Sequence, residues 1–164
     1  MHSYVMALMV VGASAVAVSG QAPAAPAKPT ASVPAHILLT PGDIKWGPAE
    51  ALPGAQMAVL GGDPSKPGFF TLRLKFPDGA KIPAHWHPTD ENITVLQGLF
   101  RAGMGDVHKD TELHDFPAGS FIVMPKAMRH FASAKGEVVV QIDGEGPFVV
   151  NYVNPADDPS KKKD

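Results

Sequence analysis

Two histidines stand one residue apart in the stretch GAKIPAHWHPTDENITVLQG, Gly79 to Gly98, and two acids, Asp90 and Glu91, follow within a few residues. In an extended strand, side chains two apart point to the same face, so His85 and His87 aim together while Trp86 faces away. That spacing suits chelation of a metal ion by neutral imidazole nitrogens. Pro83 and Pro88 bracket the pair, which stiffens the approach and ends the strand. A carboxylate returning across a tight turn could reach the same ion. Taken alone, a His-x-His pair reads equally as a polar strand face.

The elements that must position these residues are strands. From about Ile37 onward the chain is a series of short apolar runs broken by Gly, Pro and Asp, with no long segment of helical period. FFTLRLKF, Phe69 to Phe76, alternates cleanly, with Leu72, Leu74 and Phe76 on one face and Arg73 and Lys75 on the other. NITVLQG, LFRAGMG, SFIVMP, MRHFASA, VVVQI and FVVNYV read as further strands, with turns at PDG, FPAG, KGE and DGEGP. Edge strands are expected around Ile44 to Trp46 and Gln56 to Leu60. At least eight short strands at regular spacing predict an all-β sandwich or closed barrel.

Composition narrows the function classes. The chain has 164 residues, 45% of them hydrophobic, which suits one compact domain with an ordinary core. A formal charge of -2 and three scattered arginines, Arg73, Arg101 and Arg129, give no footprint for nucleic acid. With no cysteine, disulfides, thiolate metal sites and a cysteine nucleophile are excluded, so any metal is held by nitrogen and oxygen. Val5 to Gly20 is an apolar run ending in small residues, followed by an Ala/Pro-rich stretch. This order resembles a secretory signal and flexible linker, although the residues before the run carry no Lys or Arg. The run falls short of the ~20 strongly apolar residues of a membrane span. The expected organisation is a signal over residues 1–22, a linker over 23–36, a β-barrel over 37–155 and a disordered tail over 156–164, with periplasmic or secreted location and no stable membrane anchor.

At defined spacing, Gly79, His85, His87, Glu91 and Gly98 resemble the first signature motif of the cupin superfamily. Gly119, Pro125 and His130 resemble the second, with Ala127 where the family usually has glycine and Ala134 where it often has asparagine. Alanine at 127 carries the expectation that this turn avoids positive φ. The resemblance spans about Phe69 to Tyr152. It implies a cupin-type jelly-roll barrel, often paired as a homodimer, holding one divalent ion (Mn, Fe, Ni, Co or Zn) through His85, His87, Glu91 and His130. Four such ligands on an ion that accepts six leave two positions for water, substrate or O₂. A tetrahedral zinc with the same ligands would be closed and structural.

The resemblance further implies a metal-dependent protein acting on a small oxygenated molecule, as a dioxygenase, decarboxylase, isomerase or lyase, or binding it without turnover as a sensor. Ile93 and Val95, on the face continued from Glu91, and Met128, two residues from His130, are expected to border the pocket. Gln141 interrupts the apolar VVVQI; facing inward it would hydrogen-bond a ligand, facing outward it is solvated. Asp90 reads as a solvated turn residue, and His108 and His114 as surface loop histidines. Arg101 and Tyr152 read as rim residues.

Overall fold

The computed structural model describes residues 36–161, which fold as an all-β jelly-roll barrel; the expected signal, most of the linker and the last three residues lie outside the described residues. Nine strands run β1 (Gly47–Pro48), β2 (Gln56–Gly61), β3 (Gly68–Phe76), β4 (Lys81–Trp86), β5 (Glu91–Met104), β6 (His114–Pro117), β7 (Phe121–Met124), β8 (His130–Gly146) and β9 (Asn151–Tyr152). Among the described residues no helix is long and apolar enough to cross a membrane. Ile44 to Trp46, expected as an edge strand, is not one; the edge is the two-residue β1, where Gly47 pairs with Met57.

Two long strands are shared by both walls of the barrel. The first part of β5 pairs with β7 and the last part of β8, while its second part pairs with β6 and the first part of β8. One wall therefore runs β7-β5-β8-β3-β2-β1 and the other β6-β5-β8-β4-β9. The local sequence pattern predicts two separate strands in place of each long one, parted after Gly98 and at the KGE turn. Instead each strand passes through a bend at glycine: Gly98 has φ 76 and Gly136 has φ 75. Positive φ is cheap only for glycine, and a Cβ at Gly98 would also collide with the Glu137 carbonyl of the facing strand. The pairing register shifts at this point, where the sheet folds over on itself.

The core is the inward face of these strands. Phe70, Leu72, Leu74 and Phe76 alternate inward along β3, and Val138, Val140 and Ile142 do so along β8. Phe100 packs against Phe76 at 6.5 Å between ring centroids. After β9, residues 155–161 form two short 3-10 turns, the first capped by the Asn154 side chain accepting from the Ala156 N–H.

Candidate metal centre

Five polar or charged residues are buried among the described residues, and four of them are His85, His87, Glu91 and His130. Burying polar groups is costly unless they find partners, so their meeting at one point in an apolar barrel calls for a physical reason. On β4 the inward phase changes. Ile82 faces the barrel interior, and strict alternation would carry Ala84 and Trp86 inward with it. The pairing of β4 with β8 shifts between Ile82 and His85, which turns His85 inward opposite its cross-strand partner His130. His87 follows two residues later on the same side, just beyond the strand end.

Glu91 is the first residue of β5 and is 5% exposed. Its Oε2 lies 3.6 Å from His87 Nε2 and 3.4 Å from His130 Nε2. The turn before His130 is tied to the turn after His87 by two backbone N–H groups: Ala127 donates to the His87 carbonyl at 2.8 Å, and Lys126 donates to Asp90 Oδ1 at 2.8 Å. Asp90 thus joins the two motif segments and stays exposed. Ala127 corrects the sequence expectation, since its φ is 62. That left-handed conformation strains an alanine, and the bonds on either side hold it.

Each imidazole is oriented in the same way. Nδ1–H of His85 donates to the Pro83 carbonyl at 2.8 Å, that of His87 to Val149 at 2.8 Å and that of His130 to Met128 at 3.0 Å. A proton held on Nδ1 leaves the lone pair on Nε2. One nitrogen from each ring lies within 4.8 Å of the other two. The buried His87 Nε2 has no hydrogen-bond partner. Metal–imidazole bonds are about 2.0–2.1 Å, so a single ion between the rings would engage all three nitrogens and satisfy the orphan. Backbone carbonyls fixing the far nitrogens are the outer support such ligands need.

Electrostatics favour the neutral form of His85 and His87. Burial, reinforced by the charges His130 and His87 would carry, lowers the His85 pKa from 6.5 to about 3. Burial also lowers that of His87, against the pull of Glu91. For Glu91 burial pushes upward, but the His130 contact and the surrounding histidines overcome it and hold the carboxyl below its usual range. Neutral imidazoles beside a carboxylate are the forms that bind a divalent cation.

Around these four side chains is a cavity of about 40 Å³ whose remaining wall is apolar. Ile93 lines it. Val95 does not; it is buried one step further along β5 in the hydrophobic core. Met128 is corrected outright: it is 39% exposed and lies in the turn closed by its own N–H on Pro125, so strand alternation does not extend back from His130. Gln141 faces out, between inward Val140 and Ile142, accepting from Arg73 Nε at 3.2 Å and donating to Asp143 at 3.2 Å. Arg101 pairs outside with Asp115 at 2.8 Å, and the Tyr152 hydroxyl donates to the Ala51 carbonyl. His114 is exposed, and His108 sits beneath the insert, away from the cluster. Sequence reasoning missed Leu52, Phe148 and Val150, which close the cavity from outside the motifs and carry no signal beyond being apolar.

The ChrR Cupin-like domain model matches residues 34–148. No curated protein matches the chain. Among solved structures, the polyketide cyclase RemF from Streptomyces resistomycificus is 17% identical, with 74% of this chain and 88% of that chain covered at a TM-score of 0.61. An RmlC-like cupin from Shewanella frigidimarina is 15% identical, covering 68% and 91% at 0.54, and KdgF from Halomonas sp. is 23% identical, covering 65% and 91% at 0.51. At such identities the likeness concerns fold alone. With both motifs folded into one jelly roll and a family match over most of its length, the chain belongs to the ChrR cupin-like domain family of the cupin superfamily.

Proposed function

We propose that the protein holds one divalent transition metal through His85, His87, His130 and Glu91 and presents it to a small oxygenated molecule. The observation that carries this reading is the common orientation of the three imidazoles, each donating Nδ1–H to a backbone carbonyl while one nitrogen from each ring converges on the same space. Three neutral nitrogens and one carboxylate leave a divalent ion with a net charge of about +1, suited to a neutral or singly charged oxygen ligand. Such an ion supplies Lewis-acid chemistry, and iron or manganese adds reactivity with O₂. The protein's own residues hold the imidazoles in one tautomer, keep Glu91 ionised and exclude bulk water with an apolar wall.

The cavity lining offers no acid or base beyond the four proposed ligands. Proton transfer in a dioxygenase, decarboxylase, isomerase or lyase reaction would therefore fall to Glu91 or to the substrate itself. The same scarcity favours a second reading, reversible binding or sensing at the metal without turnover. Export by an N-terminal signal and pairing into a homodimer belong to the proposal as well; N-terminal sequencing of the mature protein and light scattering test them.

Elemental analysis of protein purified without added metal tests the central reading. About one transition metal per chain is expected in the wild type and none in His85→Ala or His130→Ala. Folded wild type that neither contains nor takes up metal would refute it. With metal in place, O₂ uptake on small catechols or diketones separates oxygenase from sensor.

A further inference from the structure

Next to the 40 Å³ metal cavity lies a second, larger space: a cleft of about 350 Å³ between the loop from Pro48 to Leu52 and the segment around Phe148 to Val150, floored by Leu72 and Leu74 of β3. Leu52, Leu74, Phe148 and Val150 line both, so these four side chains form the partition between them. We propose that the cleft is the subsite for the apolar body of the ligand, whose small oxygen-bearing head passes the partition to reach the metal. The proposal rests on the metal reading above and extends it from the head of the ligand to its body.

Three observations carry it. The metal cavity is too small for more than an ion and a few ligand atoms, whereas the cleft falls in the ~300–1,000 Å³ range of small-molecule sites. The cleft lining contains no cationic side chain; its one charge is the Glu50 carboxylate and its one hydroxyl is Ser65, both exposed. A phosphorylated or multiply anionic body would find no counter-charge there, so the chemistry selects an alkyl chain or single ring. Finally, the partition is built into the metal support. Phe148 stacks on the His87 ring at 4.3 Å and 15°, its N–H donates to the Pro64 carbonyl at 2.7 Å, and the next residue, Val149, accepts from His87 Nδ1. A body seated in the cleft therefore touches the segment that aims His87.

Hydroxamic acids of increasing chain length test this, because every member carries the same metal-chelating head. Cobalt(II)-loaded protein is titrated calorimetrically with acetohydroxamate, hexanohydroxamate and octanohydroxamate. Affinity is expected to rise at least about tenfold from the shortest to the longest. Met57 lines the cleft but not the metal cavity, so Met57→Trp narrows the cleft; it should flatten that rise and leave acetohydroxamate binding unchanged, which also reports that the variant is folded. Equal affinity along the wild-type series, or a rise that persists in Met57→Trp, overturns the body subsite while sparing the metal centre. Protein that takes up no cobalt, or cobalt-loaded protein that binds none of the three, overturns both.

Discussion

Two histidine–carboxylate groups in this barrel use the same side-chain chemistry with opposite results. In the interior, His85, His87 and His130 converge, with Glu91 beside His87 and His130, and each ring donates Nδ1–H to a backbone carbonyl. On the outside, His108 commits both nitrogens: Nδ1 lies 3.3 Å from the Ile82 carbonyl and Nε2 lies 2.9 Å from Asp110 Oδ1, while Lys81 Nζ closes on the same carboxylate at 2.7 Å. Both nitrogens of the outer histidine face oxygens already in place, and the ring pins the insert to β4. Each inner ring keeps one nitrogen in reserve, and in His87 that nitrogen is buried without a partner. A histidine beside an acid is therefore no signal by itself; what distinguishes a ligand is a free, buried, converging nitrogen.

The contrast breaks most visibly if the inner rings are removed. His87→Ala or His130→Ala is expected to weaken metal binding by more than the ~10–100-fold that loss of an outer support costs, whereas His108→Ala should leave it unchanged. Competition with a chelator of known affinity measures both. Glu91→Gln keeps the shape and removes the charge, so a loss of about 10-fold or more is expected from the same assay, against none for Asp110→Asn. An unchanged Glu91→Gln would remove the carboxylate from the ligand set.

A smaller effect is expected in the pH dependence of the metal-free protein. The folded pKa of His85, about 3, lies below its ordinary 6.5, so between those values the unfolded chain binds a proton that the folded chain does not. Stability is therefore complete above pH 6.5 and falls as pH drops toward 3, with a slope of up to about 1.4 kcal/mol per pH unit from this residue. His87 and Glu91, both lowered, act in the same direction. Thermal melts across pH 7 to 4 should show the decline in wild type and a shallower one in His85→Gln. The smallest effect belongs to the exposed pair: Lys81→Ala should leave melting and metal binding unchanged within error, since exposed ion pairs contribute little.

The inner group was largely legible before the structure, because its positions are fixed by spacing that survives folding: Gly79 and Gly98 around the His-x-His pair, and Pro125 and His130 downstream. The reasons behind the spacing were not. Gly98 is required by the close approach of the Glu137 carbonyl, a contact with a residue 39 positions later. The inward turn of His85 depends on a register shift against β8, and alternation from Ile82 would have sent it outward. Met128 was misplaced because alternation does not carry across the start of a strand into a turn. Gln141 was ambiguous because its apolar neighbours on both sides masked which face was inside. Ala127 adopts positive φ because neighbouring backbone bonds impose it, and no rule of local propensity reports such a constraint.

The functional reading depends above all on one transition metal held among the three inner imidazoles. Titrating metal-free protein with cobalt(II) while recording its visible absorption probes that ion without reference to any substrate, because the ligand-field bands report both binding and coordination number. Bands are expected to saturate at about one equivalent, to be lost in His87→Ala and to persist in His108→Ala, with intensity typical of five or six ligands. Folded protein that develops no such bands, or bands that survive His87→Ala and vanish with His108→Ala, would contradict a metal at this site.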